Sequence, residues 1–134
     1  NPSAYEKEVH NTSDTRIVFA GYVYGDDTNI LMKNAYVYVQ PSLIEGLSPV
    51  ILTVMGLGTP LICSDIVENK FITGENATHF TSGDAGSLAE KINFSLNNEG
   101  RLKEMAEKGR EDILTRFNWD AVTEKYLELF NSKK

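Results

Sequence analysis

The chain has 134 residues, 41% of them hydrophobic and 24% charged, with a formal net charge of −6. These values predict one globular domain spanning residues 1–134, and they exclude a disordered chain. The acidic balance excludes the broad basic face of a nucleic-acid-binding protein, so no nucleic-acid partner is expected. The single cysteine, Cys63, excludes an internal disulfide and indicates a reducing, cytoplasmic setting, with its thiol buried and inert.

The first part of the chain predicts two short helices and one strand. Residues 3–10 form a helix-like segment with a serine as its cap, and the β-branched, aromatic run at residues 16–20 predicts a strand. Residues 26–34 predict the second helix, which is capped by one of its two leading aspartates. Its apolar residues Ile30 and Leu31 are expected to face inward.

The middle of the chain predicts two more strands on either side of an apolar helix. Residues 35–40 (AYVYVQ) and 61–64 (LICS) have the composition of buried strands. Residues 49–57 are apolar enough for a strand or a helix. Ser48 at the cap position and Pro49 at the first helical position favour the helix.

The last part predicts one short strand and three helices. The strand covers residues 76–80, and Asp84 caps a helix that runs to about residue 96. Apolar residues at helical spacing predict a helix over residues 99–116, and Asn118 caps a last amphipathic helix. Because strands alternate with helices, the predicted fold is α/β, a Rossmann-like parallel sheet sandwiched by helices.

Ligands of such sheets bind beyond the carboxyl ends of the strands, where we expect three loops to meet: residues 21–26, 41–48 and 64–70. In the middle loop, Gly46 permits a close backbone approach, and the free N–H groups of the following helix attract anions without any lysine. Glu45 would repel a phosphate but would accept hydrogen bonds from sugar hydroxyls. A solvated loop acid beside a plain turn explains the same spacing equally well.

Other aromatic and titratable residues are less informative. Tyr22 and Tyr24 would stack on a nucleobase or cover the sheet edge, and for each tyrosine alone the second interpretation is better. His10 and His79 have no carboxylate or cysteine at ligand spacing, so surface or local packing roles are expected. Trp119 is also expected to pack. The sequence shows no metal-ligand cluster, so no metal site is predicted.

Several motifs follow one another in a specific order: FAGYV, AYVYVQPS, EGLSPVILTVMGLGTPLICSD, a Gly/Asn turn, TSGD and a late FNW. This order, from about residue 16 to residue 130, resembles the C-terminal domain of GT-B glycosyltransferases of the retaining group 1, or family 4, type. The resemblance implies the nucleotide-sugar-binding half of a GT-B fold, truncated at its N-terminus. In such enzymes the reaction occurs in a cleft against an N-terminal domain that binds the acceptor.

The resemblance assigns roles to the middle loop. Glu45 corresponds to the first acid of the family's E-x7-E motif, which contacts hydroxyls of the donor sugar, and it is the expected catalytic-site acid. Gly46, Leu47 and Ser48 correspond to the backbone that meets the sugar and the diphosphate.

The resemblance also implies the remaining partners. Gly21, Tyr22 and Val23 match the loop that lines the nucleotide base, largely through main-chain contacts. A nucleotide-diphosphate sugar is the donor, and neither a further cofactor nor a metal is implied. The acceptor is a glycan or lipid held mainly by the N-terminal domain, and peripheral membrane association through that domain stays open.

Two departures from the family pattern bear on activity. Thr53 replaces the second acid of the E-x7-E motif, which accepts hydrogen bonds from the ribose in the family. A charge-assisted hydrogen bond contributes about 1.5–3 kcal/mol, so weaker donor binding is expected. The Arg/Lys pair that stabilises the leaving diphosphate in family members has no counterpart in the acidic N-terminal segment, so this chain alone is expected to be inactive.

Three functions are compatible with the sequence. The first is the donor-binding half of a retaining glycosyltransferase, which transfers a sugar from a nucleotide donor in polysaccharide biosynthesis. The second is a catalytically weakened binding or scaffold domain, which Thr53 suggests. The third is a sugar-nucleotide epimerase of the same architecture, whose catalytic acids would belong to another domain.

Overall fold

The computed structural model of the protein describes residues 3–132, which form a parallel sheet flanked by helices. The strands are β1 Tyr38–Gln40, β2 Leu61–Ser64 and β3 Thr78–Phe80. The helices are α1 Ala4–His10, α2 Asp26–Asn34, α3 Pro49–Gly56, α4 Val67–Thr73, α5 Ala85–Asn97, α6 Glu99–Arg116 and α7 Trp119–Asn131. Among the described residues, no helix combines the length and apolar character needed to cross a bilayer.

The three strands run parallel in the order β1–β2–β3. Tyr38 pairs with Leu61, and Ile62 pairs with Thr78, so the strands begin at the same end of the sheet. Parallel neighbours need a crossover connection, which α3 supplies between β1 and β2 and α4 supplies between β2 and β3. The predicted α/β fold with a parallel sheet is confirmed, and the carboxyl ends of the strands share one edge.

Local chemistry determines where α3 begins and ends. Ser48 Oγ accepts the N–H of Ile51 at 3.5 Å, and Pro49 occupies the first helical turn. Gly58, with a φ of 73°, turns the chain out of the helix. The helix predicted at residues 49–57 is confirmed.

The core lies between α3, α6 and the sheet. Ile51 and Val54 of α3 have no exposed surface, and neither do Ile62 and Cys63 of β2. Burial raises the pKa of the Cys63 thiol to about 12. The thiol therefore stays protonated and unreactive at neutral pH, and its predicted burial is confirmed.

Helix α6 approaches the core closely at Gly109, which is buried. A Cβ at this position would lie 2.9 Å from Met55 Cε and 3.2 Å from Asn76 Cβ. Because glycine has no side chain, the Met55 and Asn76 side chains can occupy this space.

We expect Gly109→Val to lower the free energy of unfolding by about 2 kcal/mol, because overpacking forces side chains out of their preferred rotamers. Gly100→Val is the matched control: Gly100 lies in the first turn of the same helix, and no neighbouring group lies within 4 Å of an added Cβ. The control is expected to change stability by less than about 0.5 kcal/mol. Denaturant unfolding measures both variants, and equal losses would contradict the close approach at Gly109.

Residues 16–20 do not form the predicted strand. They have no regular secondary structure, and Ile17, Val18 and Phe19 are all exposed. A β-branched composition favours a strand only where a pairing edge and a covered face are available. This run pairs with none of the three strands, and Phe19 instead stacks on His10 with ring centroids 4.0 Å apart.

The predicted orientation of α2 is also wrong. Ile30 and Leu31 are more than half exposed, whereas Met32 packs against the core. The N-cap is Gly25, and the two aspartates lie in the first turn. Helical spacing shows which apolar residues share a face, but tertiary packing decides which face is covered.

Helix α7 begins as predicted, with the Asn118 side chain accepting the N–H of Ala121. None of its residues is buried by the described part of the chain. Trp119, which was expected to pack, is 85% exposed. Its ring has no neighbour that covers it within residues 3–132.

The loop expected at residues 64–70 is instead largely helical. Helix α4 begins three residues after β2 ends, and it buries Asn69, Ile72 and Thr73. Its N-cap is Ile66, which has no side chain able to accept a backbone N–H. The capping signal that predicts a helix start is therefore missing from the sequence at this position.

Candidate functional site

The carboxyl ends of the strands lead into three short loops. These are residues 41–48, 65–66 and 81–84. Asp65 Oδ1 accepts a hydrogen bond from the Ser82 N–H at 2.9 Å, which joins the second loop to the third. Leu43 Cδ2 lies 3.8 Å from where a Cβ of Gly83 would stand, so the first loop also reaches the third. This edge is where parallel α/β sheets bind ligands.

Asp65 carries a negative charge at this edge. The Ser82 N–H lowers the pKa of the Asp65 carboxyl, and the nearby Lys70 ammonium lowers it further. Lys70 Nζ lies 3.6 Å from Asp65 Oδ2. The two opposite charges offset each other, so this part of the edge has little net charge.

Glu45 is held by only one of its two carboxylate oxygens. Glu45 Oε1 accepts hydrogen bonds from Ser42 Oγ at 2.6 Å and from Gln40 Nε2 at 3.0 Å. Gln40 Nε2 also donates to Ser42 Oγ at 2.7 Å, so the three side chains form a closed triangle. Within residues 3–132 no donor reaches Glu45 Oε2, and the side chain is half-buried. That oxygen is free to accept hydrogen bonds from a ligand.

Helix α3 begins at this loop with unpaired backbone N–H groups. Among the described residues, none accepts a hydrogen bond from the N–H of Gly46, Leu47, Ser48 or Val50. Pro49 has no N–H to donate. Unpaired donors at a helix start, together with the helix dipole, attract an anion such as a phosphate.

Thr53 lies about one turn after Pro49 on the same helix and is exposed. Its Oγ1 donates to the carbonyl oxygen of Pro49 at 2.9 Å. The hydroxyl proton is therefore used within the helix, and the oxygen keeps only its acceptor capacity.

The predicted base-binding residues Gly21, Tyr22 and Val23 lie in a separate loop. No hydrogen bond within residues 3–132 joins them to the loops at the strand ends; the Val23 carbonyl accepts one from the first turns of α2. Tyr22 is 91% exposed and stacks on Tyr24 with ring centroids 6.1 Å apart. Because residues 16–20 form no strand, no sheet pairing holds this loop at the edge. Its role toward a base stays a prediction.

A groove of about 360 Å³ opens beside the Glu45 loop. It is lined by Gly46, Leu47, Val67, Glu68 and Phe71. The first two belong to the loop and the other three to α4, so the helix absent from the sequence prediction forms one wall. Apart from Glu68, the lining side chains are apolar.

Several polar residues at this edge had no predicted role. They are Gln40, Ser42, Ser64, Asp65 and Asn69. The available signal was their position, because the first four end a strand or follow it closely, at the carboxyl end where ligands bind. Asn69 had no such signal, since it lies on the unpredicted helix α4.

The parallel strands and the loops at their carboxyl ends define a Rossmann-like α/β domain with a candidate ligand site at that edge. A family model described as "Glycosyl transferases group 1" matches residues 1–98. The chain belongs to this family of glycosyltransferases, so the family to which its motifs pointed is confirmed.

Curated relatives cover most of this chain, but the chain spans only about a third of them. The lipopolysaccharide core biosynthesis glycosyltransferase LpsE of Rhizobium meliloti is 32% identical over 120 residues, which are 88% of this chain and 35% of the relative. The O-antigen chain mannosyltransferase B of Escherichia coli is 26% identical over 112 residues, which are 84% of this chain and 29% of the relative.

Solved structures show the same fold. Sucrose-phosphate synthase from Thermosynechococcus elongatus superimposes with a TM-score of 0.80 and 27% identity, over 93% of this chain and 32% of that one. Anabaena Alr3699/HepE, solved in complex with UDP-glucose, superimposes with a TM-score of 0.84 and 22% identity, over 96% of this chain and 37% of that one. These neighbours are GT-B glycosyltransferases, in agreement with the predicted fold class.

Proposed function

We propose that this chain is the donor-binding domain of a GT-B glycosyltransferase. The enzyme transfers a sugar from a nucleotide-diphosphate donor to a glycan or lipid acceptor, with retention at the anomeric carbon. The observation that carries the proposal is the Glu45 loop, where a carboxylate oxygen without a partner lies beside a helix start with free N–H groups. A nucleotide-diphosphate sugar presents the matching groups, an anion next to a hydroxyl-bearing ring.

Each part of the loop has a distinct role in this proposal. The N–H groups of Gly46, Leu47 and Ser48 hold the diphosphate, and the α3 dipole stabilises the negative charge that develops there when the sugar leaves. Glu45 Oε2 accepts hydrogen bonds from the donor-sugar hydroxyls. Because its Oε1 is already bonded to Gln40 and Ser42, the carboxylate is oriented before the donor arrives.

Similar proteins support the proposed class of donor and the proposed role in polysaccharide synthesis. Alr3699/HepE was solved with UDP and with UDP-glucose, and curated relatives are named for lipopolysaccharide, O-antigen and capsular polysaccharide synthesis. We therefore propose a UDP- or GDP-sugar donor, no further cofactor, and a role in polysaccharide synthesis in the cytoplasm. Since the relatives are about three times longer, the acceptor site and the remaining groups of the active site are assigned to a second domain.

Calorimetric titration of the full-length protein tests this proposal. UDP and GDP are compared with UMP and GMP, and each diphosphate with its glucose or mannose conjugate. The better diphosphate is expected to bind at least tenfold more tightly than its monophosphate, because the α3 N–H groups contact the second phosphate. Equal binding of diphosphate and monophosphate, or no binding of either, would contradict the proposed site.

A catalytically weakened binding domain is the second candidate, and Thr53 favours it. Its hydroxyl proton is bonded to the carbonyl of Pro49, so the side chain offers a ligand only weak acceptor capacity. Sugar transfer by the full-length protein separates the two candidates. A protein that binds the donor but neither transfers its sugar nor hydrolyses it would favour the weakened domain.

A further inference from the structure

A buried hydroxyl connects β2 to the loop that carries Glu45. Ser64, the last residue of β2, has no exposed surface, and its Oγ donates to the Ser42 carbonyl oxygen at 2.5 Å. The hydroxyl of Ser42 donates in turn to Glu45 Oε1. Ser42 is therefore held at both its carbonyl and its hydroxyl, and a shift of its backbone would move the carboxylate bonded to it.

Asn69 of α4 sets the direction of the Ser64 hydroxyl. Asn69 Nδ2 donates to Ser64 Oγ at 3.0 Å and to the Ser64 carbonyl oxygen at 3.1 Å. A serine hydroxyl has one proton, so a hydroxyl that accepts from Asn69 keeps that proton for Ser42. The reverse amide orientation would place Asn69 Oδ1 against the Ser64 carbonyl oxygen, which repels it. The hydrogen bonds thus run in one direction, from Asn69 of α4 to Ser64 of β2 and from Ser64 to Ser42 of the loop.

The Asn69 side chain combines two buried hydrogen bonds to Ser64 with one unpaired atom. Asn69 is fully buried, and its Oδ1 has no hydrogen-bond partner among the described residues. Burying an unpaired polar atom is unfavourable, but an apolar side chain at this position would leave both Ser64 oxygen atoms without this donor. The polar residue is consistent with a requirement for a donor next to Ser64.

We propose that Asn69 and Ser64 are positioning residues that orient the Glu45 carboxylate toward the donor sugar. The inference rests on the proposed function of the Glu45 loop. Both residues are fully buried, so we infer that they act through Ser42 and not by direct contact with the donor. The diphosphate is held by backbone N–H groups of the following helix, so these two residues govern recognition of the sugar and not of the nucleotide.

Ser64→Ala in the full-length protein tests the inference. Calorimetry measures the dissociation constants of UDP and UDP-glucose, and of GDP and GDP-mannose. For the nucleotide and nucleotide sugar that the wild type binds, we expect Ser64→Ala to raise the dissociation constant of the nucleotide sugar about five- to tenfold. The dissociation constant of the free nucleotide should stay within about twofold of the wild-type value. Ser64→Thr, which keeps the hydroxyl, is expected to restore most of the sugar affinity.

Ser95→Ala is the matched control. Ser95 is equally buried, and its hydroxyl donates to the Lys91 carbonyl oxygen at 2.9 Å within α5, away from the Glu45 loop. Its ratio of nucleotide-sugar to nucleotide affinity is expected to equal that of the wild type, although its thermal stability falls. If Ser64→Ala does not fold, Ser42→Ala breaks the same series of hydrogen bonds at a partly buried loop residue and is expected to give the same change in ratio.

The outcomes separate the inference from the proposed function. A wild type that binds neither nucleotide sugar overturns the proposed function and the positioning role together. A wild type that binds one, with an unchanged affinity ratio in Ser64→Ala or in Ser42→Ala, overturns only the positioning role. Equal weakening of nucleotide and nucleotide sugar also overturns it, because a purely structural role predicts that result.

Discussion

Glu45→Ala is expected to weaken binding of the nucleotide sugar by about 10- to 100-fold in the full-length protein, with the free nucleotide diphosphate within about twofold of wild type. A hydrogen bond to a charged group contributes about 1.5–3 kcal/mol, and each 1.4 kcal/mol is a factor of about ten in affinity. Glu45 Oε2 is free for such a bond, whereas the diphosphate is assigned to backbone N–H groups that the substitution leaves in place. The effect should therefore be specific to the sugar.

Two further variants show whether charge or shape is responsible. Glu45→Gln keeps the size of the side chain but removes the charge, so it is expected to give an intermediate loss of sugar affinity. Glu75→Ala removes an exposed acid just before β3, away from the carboxyl ends of the strands, and is expected to change neither affinity. Equal loss of nucleotide and nucleotide sugar in Glu45→Ala would contradict the role assigned to Glu45.

Thr53→Glu is expected to tighten binding of the free nucleotide by about tenfold or more. In the E-x7-E motif of this family, an acid at this position is expected to accept hydrogen bonds from the ribose, and a charge-assisted bond contributes about 1.5–3 kcal/mol. Thr53 is exposed on α3, so a longer side chain meets no buried neighbour. The substitution also removes the hydroxyl that now bonds to Pro49.

The ribose contact is tested with UDP and 2′-deoxy-UDP, or with the guanosine pair if the protein prefers GDP. The Thr53→Glu gain should be largest for the ribonucleotide, because the 2′-hydroxyl is one of the expected donors. Thr53→Gln, which lacks the charge, should gain much less. If Thr53→Glu changes neither affinity, the nucleotide does not reach this face of α3. A gain without any transfer activity would support the weakened-domain hypothesis.

Helices that begin with polar caps were predictable from the sequence. Ser48, Asp84 and Asn118 each accept a backbone N–H in the first turn, and the three helices begin where predicted. The parallel sheet was also predictable, because strands that alternate with helices favour a parallel sheet whose neighbouring strands are joined by crossover helices. Helix capping and the alternation of strands with helices depend on residues that are close in the sequence, so both can be predicted from the sequence alone.

Elements that depend on distant partners were predicted poorly. Residues 16–20 have strand composition but no strand to pair with, so they stay irregular. Helix α4 has an isoleucine at its N-cap, so no local signal marks its start. Its buried residues Asn69, Ile72 and Thr73 contribute to the core and to the site only after α4 packs against the sheet.

For the candidate site, the sequence alone identified the loop, the acid Glu45 and the helix start beside it, because strand, turn and cap follow one another within a short stretch. Only the tertiary structure showed that Gln40 and Ser42 hold one oxygen of that acid. It also brought Ser64 and Asn69 behind the loop from β2 and α4. These contacts join residues from different strands and helices, and hydrogen bonds between such elements have no sequence spacing from which they can be predicted.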